Sequence, residues 1–473
     1  MFHNFFIRIS VLCPLLLLAT ICVFAGIGDL DPSFGNGGKV VTSFDNRHSD
    51  AYAMAIQSDG KIVVAGQSAI VRYNKDGSLD ASFGNGGKVA TPSGTIFYAV
   101  AIQPDGKIVI AGRIVTSNAD FVLIRYNKDS SLDTSFGTGG IVITPISSLA
   151  DIAYAVAIQP DGRIVAAGSS GPFPSVDFAL ARYNPDGSLD NSFGTGGKVI
   201  TNINNSANIA YAMALQPDGK VVAAGFSGDS NRDFALARYN TDGTLDNSFG
   251  TGGSVTTSIG SGNDEAYAVA IQSDGRIVAA GYSFERRFDF ALARYNTDGL
   301  LDTSFATGGK AITSFGRSGG FAYAMAVQSN GKIIVAGRTT YNNGAYSEFA
   351  LVRYNPNGSL DSSFGRGGKV TTVIGNGSSV VRAVAIQPDG KIVAAGTIYY
   401  SQGDGLLGSD FALARYLGGP TKLRTTQFDF DGDGKSDISL FRPSNGFWDI
   451  RKSSGGFSSG QWGQKDDSRV PGD

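Results

Sequence analysis

The sequence predicts an all-β protein, namely a seven-bladed β-propeller of four-stranded antiparallel blades followed by a partial calcium-loop β-repeat. Three observations lead to the propeller. One unit recurs seven times, two Asp-Gly turns divide a typical copy into strands, and the two ends of the repeat region complement each other. Repeats at intervals of about 50–60 residues have to be recognised before domains are counted, because they define the architecture.

Each unit is predicted to form four strands. The third copy begins AYAVAIQPDGRIVAAG and, after a variable insert, continues DFALARYNPDGSLDNSFGTGGKVIT. Asp-Gly between two apolar runs indicates a hairpin, because glycine accepts the positive φ that such turns require. A lone four-stranded sheet cannot cover both of its faces, whereas blades stacked around an axis cover one another. The small residues of AYAVAIQ suit the innermost strand, and the aromatic residues of FALARY suit the wider space between blades.

The two ends of the repeat region predict how the ring closes. The region opens with a fourth segment, LDPSFGNGGKVVT, without three strands before it, and it ends with three strands, Ala383–Tyr416, without a fourth. The N-terminal segment is therefore expected to complete the last blade, which gives a propeller over residues 29–419. Closure of this kind leaves only short, protected sheet edges.

The repeat resembles the delta-60 repeat family of exported bacterial proteins. The resemblance rests on the Leu-Asp-x-Ser-Phe-Gly-x-Gly-Gly-Lys-Val and Ala-Ile-Gln-Pro-Asp-Gly-Lys-Ile-Val-Ala-Ala-Gly runs and covers most of the chain after the first 28 residues. It implies an exported, propeller-like protein. It supplies no catalytic residues that could be transferred to this sequence.

The first 25 residues are predicted to be a signal peptide. An apolar run from Ile9 to Phe24 follows a short polar start, and small residues favour cleavage after Ala25. Retention of this segment as a membrane anchor is the alternative. Cleavage predicts a secreted or cell-surface bacterial protein without a transmembrane span in the mature chain.

Composition limits the classes of function. Both cysteines, Cys13 and Cys22, lie in the predicted signal peptide, so the mature chain would keep a single histidine, His48, and no cysteine. Histidine- or cysteine-dependent catalysis and histidine-ligated metals therefore have few candidate residues. A net charge of −2 without a basic stripe argues against nucleic acid as a partner. The oligomeric state is left open.

A second repeat type follows a linker at residues 420–426. Residues 427–473 resemble a single FG-GAP or VCBS repeat, which has a calcium-binding loop. Alternating carboxylates and one backbone carbonyl, with Gly434 permitting a sharp turn, are typical of an oxygen-only Ca²⁺ site. A solvated acidic turn is the alternative. The predicted ligands of this structural Ca²⁺ are Asp429, Asp431, Asp433, the Lys435 carbonyl and Asp437.

Residues that recur in every blade are expected to brace the fold. Copies of one aspartate, such as Asp80, and of one arginine, such as Arg72, would be spread around the ring instead of meeting at one substrate. The repeated turn Asn74-x-Asp76-Gly77 could mimic a weak cation loop, but a hydrogen-bonded Asx turn explains it better.

The candidate ligand-binding residues lie where the repeat varies. The inserts between second and third strands and the connections from fourth to first strands differ most, and strand alternation places both on one face of the ring. Loops on a rigid scaffold often carry recognition, and aromatic residues mixed with polar ones suit a protein or glycan ligand, although each could instead anchor its own loop. The candidates are Phe173, Tyr282, Phe284, Glu285, Arg286, Arg287, Tyr341, Tyr346, Tyr399 and Tyr400.

The favoured hypothesis is an exported, non-catalytic scaffold that binds a protein or polysaccharide through this face. A propeller-type glycan hydrolase or lyase is the first alternative, and Glu285 with its two following arginines is the nearest candidate for its site. A purely structural cell-envelope or matrix protein is the second, which the close similarity of the repeats supports.

Overall fold

The computed structural model describes residues 26–44, 49–115, 118–172, 174–316, 319–341, 346–401, 407–419, 438–442, 447–451 and 457–461. The predicted signal peptide, the linker and the calcium loop Asp429–Asp437 lie outside the described residues. The described chain is all-β, without an α-helix. None of its segments is a helix long and apolar enough to cross a membrane.

Seven sheets of four strands each form the repeat region. The first strands are β2 (Ala51–Ile56), β6 (Thr95–Ile102), β10 (Asp151–Ile158), β14 (Asn208–Leu215), β18 (Asp264–Ile271), β22 (Gly320–Val327) and β26 (Ser378–Ile386). The second strands are β3 (Ile62–Gly66), β7 (Ile108–Val115), β11 (Ile164–Ser170), β15 (Val221–Ser227), β19 (Ile277–Phe284), β23 (Ile333–Tyr341) and β27 (Ile392–Ser401). The third strands are β4 (Ala69–Tyr73), β8 (Ala119–Tyr126), β12 (Asp177–Tyr183), β16 (Asp233–Tyr239), β20 (Phe288–Tyr295), β24 (Tyr346–Tyr354) and β28 (Leu407–Tyr416). The fourth strands are β5 (Lys88–Ala90), β9 (Ile141–Thr144), β13 (Lys198–Thr201), β17 (Ser254–Thr257), β21 (Lys310–Thr313), β25 (Lys369–Thr372) and β1 (Lys39–Thr42).

The chain closes the ring by pairing its two ends. In six blades the strands follow one another in sequence order, while the seventh has the order β1-β28-β27-β26. Lys39 pairs with Ala414 and Thr42 with Phe411 in antiparallel register. The structure thus confirms the seven-bladed propeller and its closure by the N-terminal strand.

The hydrophobic core lies between the blades. One cluster joins Phe121 and Phe136 of the second blade to Ala166 and Tyr183 of the third, and all four residues are fully buried. Similar clusters lie at the other blade boundaries, including the one between the closing blade and the first. The FALARY aromatic residues therefore fill the space between blades, as predicted.

The first strands surround the axis, and each carries a β-bulge. In β10 the register shifts between Ala153 and Ala155, which leaves Tyr154 unpaired with β11. The bulge requires the glycine opposite, since a Cβ on Gly168 would lie 1.8 Å from the carbonyl oxygen of Ile152. This contact explains why every second strand contains glycine at this position, and the bulge re-aims one side chain per blade.

The two faces of the ring differ as the sequence predicts. Asp-Gly turns and their equivalents occupy one face, here called the turn face. The connections between second and third and between fourth and first strands occupy the other, the variable-loop face. The variable inserts between second and third strands are not all loops, because β23–β24 and β27–β28 extend as paired strands into the inserts of the sixth and seventh blades. These hairpins lengthen because their residues continue the ladder hydrogen bonds.

A separate three-stranded antiparallel sheet follows the propeller. Its strands are β29 (Ile438–Arg442), β30 (Phe447–Arg451) and β31 (Phe457–Gln461), in sequence order. The division of the C-terminal region into a linker and a partial repeat stays a prediction.

Candidate functional site: the turn face, the channel and the variable-loop face

The turn face carries the charged residues that every blade shares. In the third blade, Arg182 Nε lies 2.8 Å from Asp190 Oδ2, while the backbone and hydroxyl of Ser192 donate to Asp190 Oδ1. The guanidinium also covers the ring of Phe193 at 4.6 Å and donates to the carbonyl of Thr241 in the next blade. One arginine thus braces its own blade and holds its neighbour.

The same arrangement continues around the whole ring. Each arginine pairs with the aspartate of its blade and reaches a backbone carbonyl in the following blade. The pairs are Arg72–Asp80, Arg125–Asp133, Arg182–Asp190, Arg238–Asp246, Arg294–Asp302, Arg353–Asp361 and Arg415–Asp31. Their bracing role, expected from the sequence, is confirmed.

Electrostatics keep these aspartates ionised. Burial alone would raise the pKa of Asp31, but hydrogen bonds from Ser33 and the charges of Lys391 and Arg415 outweigh it and lower that pKa to about 2. The pKa of Asp80 is lowered further for the same reasons, with Ser82, Lys61 and Arg72 as partners. A carboxylate held in this way is a poor proton donor or acceptor near neutral pH.

The Asn-x-Asp-Gly turns use their oxygens internally. Asp76 Oδ1 accepts hydrogen bonds from the backbone and hydroxyl of Ser78, at 2.9 and 2.7 Å, and Asn74 donates to the same hydroxyl. This is the geometry of an Asx turn. Within the part of the chain that the structure describes, no group of three or more His, Cys, Asp or Glu side chains could hold a metal ion.

A ring of tyrosines lies around the axis at the level of the bulges. Neighbouring centroids are 4.3–5.2 Å apart from the first blade to the sixth. The side chains are half-buried. The tyrosine ring consists of Tyr52, Tyr98, Tyr154, Tyr211, Tyr267 and Tyr323.

The seventh blade places an arginine in this ring. Arg382 occupies its bulge, and its guanidinium lies 4.3 Å from the centroid of Tyr323. Two further arginines follow the glycine of a second strand. Arg113 lies beside Tyr98, and the guanidinium of Arg338 covers the ring of Phe321 at 4.7 Å.

A buried carboxylate lies on the other side of the channel. Glu265 is 2% exposed, accepts a hydrogen bond of 2.8 Å from Tyr267 and is paired with Arg232. Burial raises the pKa of Tyr267, and the neighbouring Tyr211 and Glu265 raise it further. The arginine neutralises this glutamate, so the pair adds no net charge to the channel.

The predicted ligand residues of the variable-loop face have different environments. Glu285, Arg286 and Arg287 are exposed at the β19–β20 hairpin, and Arg287 pairs with Asp289 at 3.3 Å. The exposure of Glu285 and Arg286 leaves both side chains accessible to a ligand.

The aromatic candidates are more buried. Tyr282 is only 9% exposed and packs against Tyr267, Phe288 and Phe321, because β19 continues to Phe284. This side chain anchors the hairpin and offers little surface to a ligand. Phe284 is half-buried against Phe288, Tyr399 and Tyr400 are half-buried, and Tyr346 is 44% exposed. Phe173 and the side chain of Tyr341 lie outside the described residues.

Sequence reasoning missed the tyrosine ring and Arg382. The tyrosine of each first strand was interpreted as one residue of a regularly alternating strand, whereas the bulge turns its side chain toward the axis. The signal for Arg382 was present, because the seventh copy reads VVRAVAIQ where its siblings have tyrosine.

Fold and repeat together define the class: the chain is a β-propeller repeat protein. The family described as "Domain of unknown function (DUF5122) beta-propeller" matches it in seven segments, one in each blade. The matched segments are 57–83, 103–136, 159–193, 216–249, 272–305, 328–364 and 387–417. No protein of curated function is similar in sequence to this chain at a significant level.

Solved structures with similar folds have diverse roles. A catalytically inactive virginiamycin B lyase from Staphylococcus aureus with quinupristin is 11% identical, with 80% of this chain and 98% of that chain covered and a TM-score of 0.43. Sqt1 from Chaetomium thermophilum, bound to the N-terminus of ribosomal protein L10, is 12% identical, with 77% and 83% covered and a TM-score of 0.43. A putative gluconolactonase is 12% identical, with 68% and 93% covered and a TM-score of 0.30. Sequence identities and TM-scores this low do not assign a function to this chain.

Proposed function

We propose that this β-propeller is an exported, non-catalytic scaffold that binds a protein or a polysaccharide through its variable-loop face. One observation carries the proposal. The charged residues shared by all blades are engaged in bracing the turn face, whereas the departures from the repeat, among them Arg286, Arg382 and the extended hairpins, lie toward the opposite face. Residues that the scaffold does not need are the ones free to recognise a ligand.

A binding assay with treated cell-surface extract tests this proposal. The mature chain is immobilised and exposed to extract that has been treated with periodate or with protease. Loss of binding after periodate identifies a polysaccharide ligand, and loss after protease identifies a protein. A glycan array then gives the sugar specificity.

Variants locate the binding face. Arg286→Ala and Tyr346→Ala change exposed side chains of the variable-loop face, and Asp389→Ala changes an exposed turn-face residue as the matched control. We expect the first two to weaken binding and the control to leave it unchanged. Equal binding by all three variants would contradict the proposed face, and hydrolysis of array glycans would favour an enzyme instead.

We also propose that the C-terminal repeat binds a structural Ca²⁺ through its acidic loop. Support comes from the alternation of Asp429, Asp431 and Asp433 around Gly434 in the sequence. Calorimetry of the mature chain should give a heat of calcium binding that is lost in the Asp431→Ala/Asp433→Ala double variant. A wild-type chain without this heat would refute the site.

A further inference from the structure

The tyrosine ring of the channel is broken at a single position. Six blades place tyrosine in the first-strand bulge, and the seventh places Arg382 there. The backbone around the substitution is unchanged, because Gly396 still faces the bulge and a Cβ there would lie 1.9 Å from the carbonyl oxygen of Val380. The scaffold therefore accepts arginine or tyrosine at this site, and structural need does not explain the arginine.

A second arginine lies beside the tyrosine ring, at Tyr98 of the second blade. Arg113 follows the glycine of β7, where the equivalent residue of the third blade is Ser169. Burial raises the pKa of Tyr98, while the positive charges of Arg113 and Arg382 both act to lower it. The guanidinium of Arg382 lies 4.3 Å from the ring of Tyr323, and its charge acts on Tyr98 together with that of Arg113.

These arginines differ from those of the turn face in their partners. Each turn-face arginine has an aspartate within 2.9 Å, whereas the described residues provide no carboxylate within 4.0 Å of Arg113 or Arg382. Their Nε atoms are buried and have no hydrogen-bond partner among those residues. Leaving a guanidinium donor buried and unpaired costs free energy, which a bound anion would recover.

The acidic groups around the channel do not cancel this charge. Asp50 accepts a hydrogen bond from Tyr52 at 3.2 Å, and its other oxygen is buried without a partner. Glu265, on the far side, is already neutralised by Arg232. Arg113 and Arg382 thus have no carboxylate within 4.0 Å among the described residues, which favours an anionic ligand.

We propose that Arg382 and Arg113 form an anion site at the channel mouth that binds the carboxylate of an acidic, uronate-containing polysaccharide. The proposal rests on the proposed function and names the ligand class of the same face. Arginine binds carboxylates bidentately. A uronic acid also carries hydroxyl groups, which match the phenols of Tyr52, Tyr98 and Tyr154, whereas an acidic peptide supplies carboxylates without such an array of hydroxyls.

Calorimetry with a defined sugar tests the site. The probes are an oligogalacturonate, its fully methyl-esterified form and an oligoglutamate peptide. The variants are Arg382→Tyr and Arg113→Ser, which install residues used by sibling blades and so keep the fold. Arg366→Ala, at an exposed arginine of the turn face, controls for general surface charge.

We expect oligogalacturonate to bind the wild-type chain and to bind both sibling-residue variants about 10-fold or more weakly. The ester should bind no better to the wild type than to Arg382→Tyr, because its carboxylates are masked. Thermal melts of the variants should match or exceed the wild type, which separates lost binding from lost fold.

Other outcomes overturn the inference. No binding of oligogalacturonate by the wild type, equal binding by Arg382→Tyr, or a preference for oligoglutamate would each refute it. The proposed function fails separately: if extract binding persists and depends on Arg286 while oligogalacturonate does not bind, the face is correct and the anion site is wrong.

Discussion

The two faces of the propeller treat the same chemical groups in opposite ways. On the turn face, seven arginines and seven aspartates pair at 2.6–2.8 Å and repeat without exception. Toward the variable-loop face, Arg113 and Arg382 have no acidic partner among the described residues, and the negative charge of Asp264 helps to raise the pKa of the half-buried Asp233. Repetition in this chain therefore marks groups that stabilise the ring, whereas departures from it include a paired group, Arg232 with Glu265, as well as arginines without an acidic partner.

The largest difference between the faces should appear at low pH. The folded-state pKa of Asp31 is about 2, below its ordinary 3.8, and the other turn-face aspartates are lowered too. Groups of this kind stabilise the fold above 3.8 and lose that contribution as the pH falls through the folded pKa. Burial raises the pKa of Asp120, Asp233 and Glu348, so these three act with the opposite sign and are outnumbered. Urea denaturation should show stability falling steeply between about pH 4 and 2, and a flat profile would contradict the bracing role.

Removal of one turn-face carboxylate should have the next largest effect on the free energy of unfolding. In Asp361→Asn the guanidinium of Arg353, whose side chain is 2% exposed, loses its charged partner. Breaking a buried pair of this kind costs about 3–5 kcal/mol. Chemical denaturation measures the change, and Asp389→Asn, at an exposed turn carboxylate, is the control. Similar losses in both variants would show that the buried pairs have no special role.

A hydroxyl that links two blades should contribute less to the free energy of unfolding than a turn-face carboxylate does. Tyr183 of the third blade donates to Thr144 Oγ1 of the second at 3.0 Å, and both residues are buried. Tyr183→Phe removes this bond without a cavity, so we expect a loss of about 1 kcal/mol. Tyr98→Phe, on the ring around the axis, is the comparison. A larger loss of unfolding free energy in Tyr98→Phe than in Tyr183→Phe would show that the phenol at the axis, and not the one between the blades, stabilises the ring.

The smallest effect should come from the exposed hairpin. Arg286 is exposed, and no described contact depends on its side chain. Arg286→Ala should change the free energy of unfolding by less than about 0.5 kcal/mol while weakening ligand binding. Thermal melts and the binding assay together check this separation, which a destabilised Arg286→Ala protein would contradict.

Most of the fold could be predicted because it follows from local rules used seven times. The Asp-Gly turns, the strand alternation and the phase of the ends each point to the same ring, and pairing of β1 with β28 confirms them. The paired arginines and aspartates could also be interpreted correctly, because identical residues in all blades cannot meet at one point.

The candidate site could be predicted only in part. Strict alternation of AYAVAIQ does not reveal that a bulge turns Tyr154 toward the axis. Tyr282 could not be recognised as buried, because its exposure depends on how far β19 pairs and on rings contributed by Phe288 and Phe321. The joint action of Arg113 and Arg382 on Tyr98 depends on the order of blades around the axis, which no local pattern records.

Pairing of β1 with β28 also determines when the ring can close during folding. Arg415 donates to Asp31 across a sequence separation of 384 residues, and among the described strands β1 pairs with β28 alone. Strand β1 must therefore wait, unpaired, until the ribosome has produced residue 416. During that interval a chain with seven nearly identical blades has several wrong partners for β1, since each third strand resembles β28. Contacts this distant in sequence form slowly. The pairing of β1 with β28, which closes the finished ring, is therefore also the folding step at which mispairing with another third strand is most favoured.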